Sequence, residues 1–134
     1  MLMRIRLAVL LLLLLILGGC ADKQALRLGP QYWQGIEFVV ETRPTPIREG
    51  MNEFIVIASR EKGRPGVGLI VSIRVDDNAE WRQGIQDGYT GVYRRAIHVT
   101  DPQRDVLAVQ VLNTKAGQGE EAETVLFFPL GTGN

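Results

Sequence analysis

The chain has 134 residues, with fifteen lysines and arginines set against fifteen aspartates and glutamates, one histidine and one cysteine. That length suits one domain rather than two, the balanced charge gives no basic footprint for nucleic acid, and a single cysteine excludes an internal disulfide. Stability must therefore come from a hydrophobic core, which a chain of this size can build.

In chain order, the first element is a leader. Arg4 and Arg6 give a positive start, Leu7 to Leu17 form an unbroken apolar run, and Gly18 and Gly19 place two minimal side chains before Cys20. A charged segment, a short apolar segment and small residues at a cleavage point are the layout of a secretory signal. A helix needs roughly 20 apolar residues to cross a bilayer, so the run is too short for a plain transmembrane anchor. Residues 1–19 are therefore expected to be a signal peptide with a helical apolar segment. Without it, thirteen basic residues face fifteen acidic ones, a formal charge of −2 for the remainder.

Leu17-Gly18-Gly19-Cys20 resembles the lipobox of bacterial lipoproteins. The resemblance implies cleavage before Cys20 and acylation of its thiol and new amine, which anchors the protein to a membrane. Each buried methylene adds about 0.8 kcal/mol, and two or more chains hold a protein stably. It also implies an address on the periplasmic side. Ala21 rather than an aspartate follows the cysteine, which favours the outer membrane over the inner. Residues 20–34 read as a lipid-anchored tether, its stretch from Ala21 to Pro30 reaching about 30 Å when extended.

From residue 35 to 134 the sequence breaks into strand-sized, β-branched segments separated by turn formers. Residues 36–42 (IEFVVET) alternate, and the two prolines of 43–50 (RPTPIREG) make a loop or edge crossing. Residues 52–59 (NEFIVIAS) are apolar through their centre. After a turn at 61–66, Val67, Leu69, Val71, Ile73 and Val75 keep period two. Residues 79–85 (AEWRQGI) read as a short strand, followed by a turn at 86–91. The segments 92–99, 106–113 and 124–130 complete the set. No segment beyond the leader carries apolar residues at helical spacing over three turns. The expectation is an all-β, immunoglobulin-like sandwich of about seven strands.

Residues 46–56 (PIREGMNEFIV), 63–75 (GRPGVGLIVSIRV), 91–99 (GVYRRAIHV) and 106–111 (VLAVQV) resemble the YtkA-like and FixH-like immunoglobulin-like domains of bacterial membranes. The likeness spans roughly residues 44–112 and rests on turn and core positions. It implies a small β-sandwich on the outer face of a membrane, and it raises accessory work in copper delivery or respiratory-complex assembly as an alternative function. Copper sites use methionine sulfur and imidazole. After the leader this chain holds one of each, Met51 and His98, so no metal site or cofactor is expected.

Catalytic chemistry is equally sparse. A nucleophile needs an adjacent base, and His98, the one imidazole, alternates with Ile97 and Val99 in a way that turns it to solvent. The acidic run Asp76-Asp77-Asn78 with Glu80 lacks the oxygen count and bend glycine of a calcium loop. Gly63 to Gly68 precede no helix that could receive a phosphate. The chain is thus expected to be no enzyme, but a binding or scaffolding module whose partner is another envelope protein. Aromatic and arginine side chains concentrate binding energy, which singles out Trp81, Arg82 and Tyr89 as the contact residues. Simple packing of Trp81 on the sheet is the competing reading. Tyr93, just after a turn, has the placement of a tyrosine corner and should be buried with its hydroxyl on a backbone group.

Overall fold

Alternation of apolar and polar residues builds the sheets. In strand β2 (Ile36–Arg43), Ile36, Phe38, Val40 and Thr42 are buried on one face while Glu37, Val39 and Glu41 are only partly covered. Strand β3 (Gly50–Ser59) turns Asn52, Phe54, Val56 and Ala58 to the same side. The computed structural model describes residues 1–3 and 26–133. The expected signal peptide, Cys20 and the beginning of the tether lie outside the described residues.

Two antiparallel sheets face each other. The first runs in the order β1 (Arg27–Trp33), β2, β3, β7 (Val92–Val99), β6 (Ile85–Gln86). The second runs β5 (Arg82–Gln83), β4 (Leu69–Arg74), β8 (Val106–Asn113), β9 (Glu123–Pro129). Phe38, Phe54 and Tyr93 of the first sheet and Val71, Leu107 and Phe128 of the second share one continuous core. This is the expected all-β sandwich, with seven strands of six or more residues and two of two residues among the described residues.

Two boundaries differ from the sequence reading. The tether expected over residues 20–34 does not reach that far, because Arg27–Trp33 is a strand paired antiparallel with β2. Gly29 and Pro30 disguised it: the register shifts between Leu28 and Gln31, so the strand carries a bulge where period two fails. Leu28 is nonetheless buried and Leu26 packs against the core. The single strand expected at 79–85 is two, belonging to different sheets. Gly84 makes the crossing, its amide donating to the Val71 carbonyl at 2.7 Å. A Cβ at Gly84 would lie 3.2 Å from Tyr93 Cβ and 3.3 Å from that same carbonyl oxygen, so only glycine passes there without displacing a neighbour.

The register defines two ends. Arg27 pairs with Glu41, two positions before β2 ends. The chain therefore enters at the end formed by the 44–49, 75–81 and 100–105 connections. The turns at 34–35, 60–68, 87–91 and 114–122 form the opposite end.

Two polar side chains fix these ends. At the entry end, Asn52 is buried and donates its amide to the carbonyls of Arg48 and Gly50 at 2.7 and 3.0 Å, while its oxygen accepts from the Arg48 amide at 3.1 Å. At the far end, Tyr93 is 2% exposed and its hydroxyl donates to the Gly66 carbonyl at 3.0 Å. The expected buried, backbone-bonded tyrosine is present, although its partner lies across the β3–β4 connection, not a few residues upstream. Gly91 (φ +75°) precedes it at a close approach: a Cβ would sit 2.5 Å from the Ala58 carbonyl oxygen.

Candidate functional site

The residues expected to form a contact surface start from the segment that crosses between the sheets. Arg74 is the last residue of β4, and the chain turns through Asp76–Ala79 before β5. The Arg74 guanidinium holds that turn: Nη1 donates to the Asp77 carbonyl at 2.9 Å, and Nη2 lies 3.7 Å from the Asp77 carboxylate. Its other face covers the Trp81 ring, 4.3 Å from the centroid, within the range of a cation–π contact. Trp81 is half-buried. Both readings of it thus have a physical basis, since the ring is clamped from one side and open on another.

Arg82 follows on β5 and is exposed. Tyr89 is 86% exposed at the tip of the β6–β7 turn. The three residues do not form one patch. Arg82 pairs with Ile73 at the entry end, whereas Gln86 pairs with Tyr93 towards the far end. Trp81 and Tyr89 thus lie towards opposite ends of the sandwich. Cys20, the expected lipidation residue, lies outside the described residues.

Beyond Arg74, the second sheet carries exposed apolar residues that sequence reading passed over. On the outer face of the second sheet, Arg74 pairs with Ala108 and Ala108 with Phe127. Phe127 is 55% exposed, and Val106, Leu112 and Val125 are half-buried on the same face. One signal in the sequence pointed here. Phe127 and Phe128 are adjacent, and in a strand neighbours face opposite sides, so one of the two had to leave the core.

On the outer face of the first sheet, Met51 stands directly opposite His98 across β3 and β7. Both are exposed, as the alternation predicted for His98. These two are the single thioether and single imidazole expected after the leader, and opposed antiparallel residues have Cβ atoms about 5 Å apart. Among the described residues no group of three or more histidine, cysteine, aspartate or glutamate side chains could hold a metal ion.

Electrostatics distinguish two tyrosines. Burial pushes the Tyr93 phenol above its usual value, while a backbone hydrogen bond from Leu69 and the Arg60 charge pull it back. Tyr32 is also raised, because its hydroxyl donates to the Glu37 carboxylate at 3.0 Å and that negative charge opposes ionisation.

Compared with known proteins, the chain matches no family model, no curated protein and no solved structure. Among the described residues no helix is long and apolar enough to cross a membrane.

Proposed function

We propose that this protein is a lipid-anchored, non-catalytic binding or scaffolding module on the periplasmic side of a bacterial envelope, with the outer membrane its favoured site. Cys20 carries the lipid, and the sandwich holds another envelope protein close to the membrane. The observation that carries the reading is the short distance between lipobox and fold. Strand β1 starts at Arg27, so residues 21–26 alone link Cys20 to the sandwich. Six residues reach at most roughly 20 Å, at about 3.5 Å each.

That spacing and the register support one orientation of the domain. The 44–49, 75–81 and 100–105 connections face the membrane, with Trp81 and Arg82 near them. Tyr89 points away, where a partner reaches it from the periplasm. The YtkA-like and FixH-like likeness of residues 44–112 fits the same placement. Fractionation of cells expressing the wild type and Cys20→Ser tests the anchor. The wild type should sediment with membranes and the variant should be released. A wild type that is soluble, or a Cys20→Ser variant that stays bound, overturns it.

A second reading, accessory work in copper delivery, is favoured by the Met51–His98 pair. Thioether and imidazole together suit copper(I). Anaerobic copper(I) titration decides it: saturable binding tighter than micromolar that disappears in both Met51→Leu and His98→Ala supports the reading. Absence of such binding removes it.

A further inference from the structure

Among the described residues, strand β7 has a neighbour along its whole length on one side only. On the other side β6 covers Tyr93 and Arg94. The direction of the main-chain groups follows from two bonds. Gly91 offers its carbonyl to Ala58 on β3, whereas the Val92 carbonyl accepts from Asp87 on the β6 side. Alternate residues of a strand bond to the same side, so Arg94, Ala96 and His98 present their N–H and C=O groups away from β3. Above them the Asp105 carboxylate takes the Thr100 amide at 2.9 Å. Among the described residues no strand pairs with the main-chain groups of Ala96 and His98 on this side, between β6 and Asp105.

This edge has a shape and a charge. At its β6 end lies a cavity of about 610 Å³ walled by Ile85, Asp87, Glu53, Arg95 and Ala96 among others. A separate cavity, of about 930 Å³, is lined by His98, Thr100 and the Asp76–Ala79 turn among others. Arg94 is occupied, 3.6 Å from the Glu53 carboxylate and 3.5 Å from that of Asp87. Arg95 is not: it is half-buried and has no ion pair among the described residues. Opposite Phe54 in the register, it shares the inner face with Tyr93 and Ile97. An inward-turned charge on an edge strand is a common guard against sheet-to-sheet pairing.

We infer that the open edge of β7 is a peptide-docking site that accepts an extended segment of a partner protein carrying one acidic side chain. The segment adds a strand beside Ala96 and His98, a recognised mode in which main-chain bonds give affinity and alternate side chains give selectivity. Its inward side chain is a carboxylate that meets Arg95. Its outward neighbour is apolar and fits over the small Ala96 against Ile85, which is 66% exposed. The same Arg95 argues against a second copy as the occupant, because a two-fold edge pairing over Ala96 and His98 sets two unpaired cations beside the axis. The inference rests on the binding-module reading and names the surface and the partner chemistry.

The test uses the full-length protein, isotope-labelled, in detergent. Two peptides of about seven residues, alternating threonine and valine with a central glutamate or glutamine, are titrated to millimolar concentration while amide signals are followed. The glutamate peptide should give saturable shifts centred on residues 94–98 and slow the amide exchange of Ala96 and His98. Arg95→Gln should weaken it about tenfold, the loss of one charge-assisted hydrogen bond, and leave the glutamine peptide unchanged. Binding elsewhere, equal binding of both peptides, or no saturable shift overturns the inference. So does protection of Ala96 and His98 without peptide in a dimeric protein, which would make a second copy the occupant. Capture of an envelope partner that is insensitive to Arg95→Gln would sink this inference and leave the binding-module reading intact.

Discussion

The Tyr93 hydroxyl donates to the carbonyl of Gly66, and this one bond ties the start of β7 to the β3–β4 connection 27 residues earlier. Removing it leaves a buried carbonyl without its partner, which costs about 1–2 kcal/mol. Tyr93→Phe keeps the ring and should lower stability by that amount in chemical denaturation, with an unchanged denaturant slope.

The same tyrosine sets an alkaline limit. Its folded-state pKa lies above the usual value because of burial, so the folded form keeps its proton at a pH where the unfolded chain, near pH 10, loses it. The contribution is fully present below about pH 10 and is lost as the pH rises through the folded value. Stability should be flat with respect to this group from pH 7 to 9 and fall beyond pH 10. Tyr93→Phe should fall less steeply, keeping a residual slope from Tyr32, which Glu37 raises. Equilibrium unfolding of both proteins across that range checks the sign.

Asn52 fills three hydrogen bonds inside the 44–50 connection. Asn52→Ala removes all three, taking the side-chain partner from the Arg48 amide and carbonyl and from the Gly50 carbonyl in a partly buried site. A loss of about 2–4 kcal/mol is expected, with a lower melting temperature as the readout. Thr42 offers the opposite case. Its hydroxyl is buried with no partner among the described residues, so Thr42→Val should be neutral or stabilise by about 1 kcal/mol.

Trp81→Ala separates packing from contact. The stacked Arg74 contributes about 0.5–1 kcal/mol at a partly exposed site, and loss of the ring also frees the Asp76–Ala79 turn. A melting temperature lowered only slightly, with loss of the captured partner, supports the contact role. A large drop would assign Trp81 to the fold.

Much of the sandwich was legible because its strands keep period two under a one-sided core. Leu69, Val71 and Ile73 alternate cleanly, and so do Phe38, Val40 and Thr42. Where the pattern is interrupted the sequence misled. Gly29 and Pro30 looked like tether yet sit in a bulged strand, and the run from Trp81 to Gln86 divides between two sheets at Gly84. The residues proposed for contact could be chosen by type and not by place. Trp81 and Tyr89 are close in sequence, but the crossing sends them to opposite ends. The Met51–His98 pair and the free edge beside Arg95 depend on register, which no local pattern encodes when 47 positions separate the partners.

The most direct test of the binding-module account is site-specific photo-crosslinking in intact cells, at native abundance, from positions 81, 89 and 96. The account predicts an adduct between this protein and another envelope protein from at least one of these positions, lost when Cys20→Ser releases the domain. Recovery of the uncrosslinked protein alone from all three positions would contradict it.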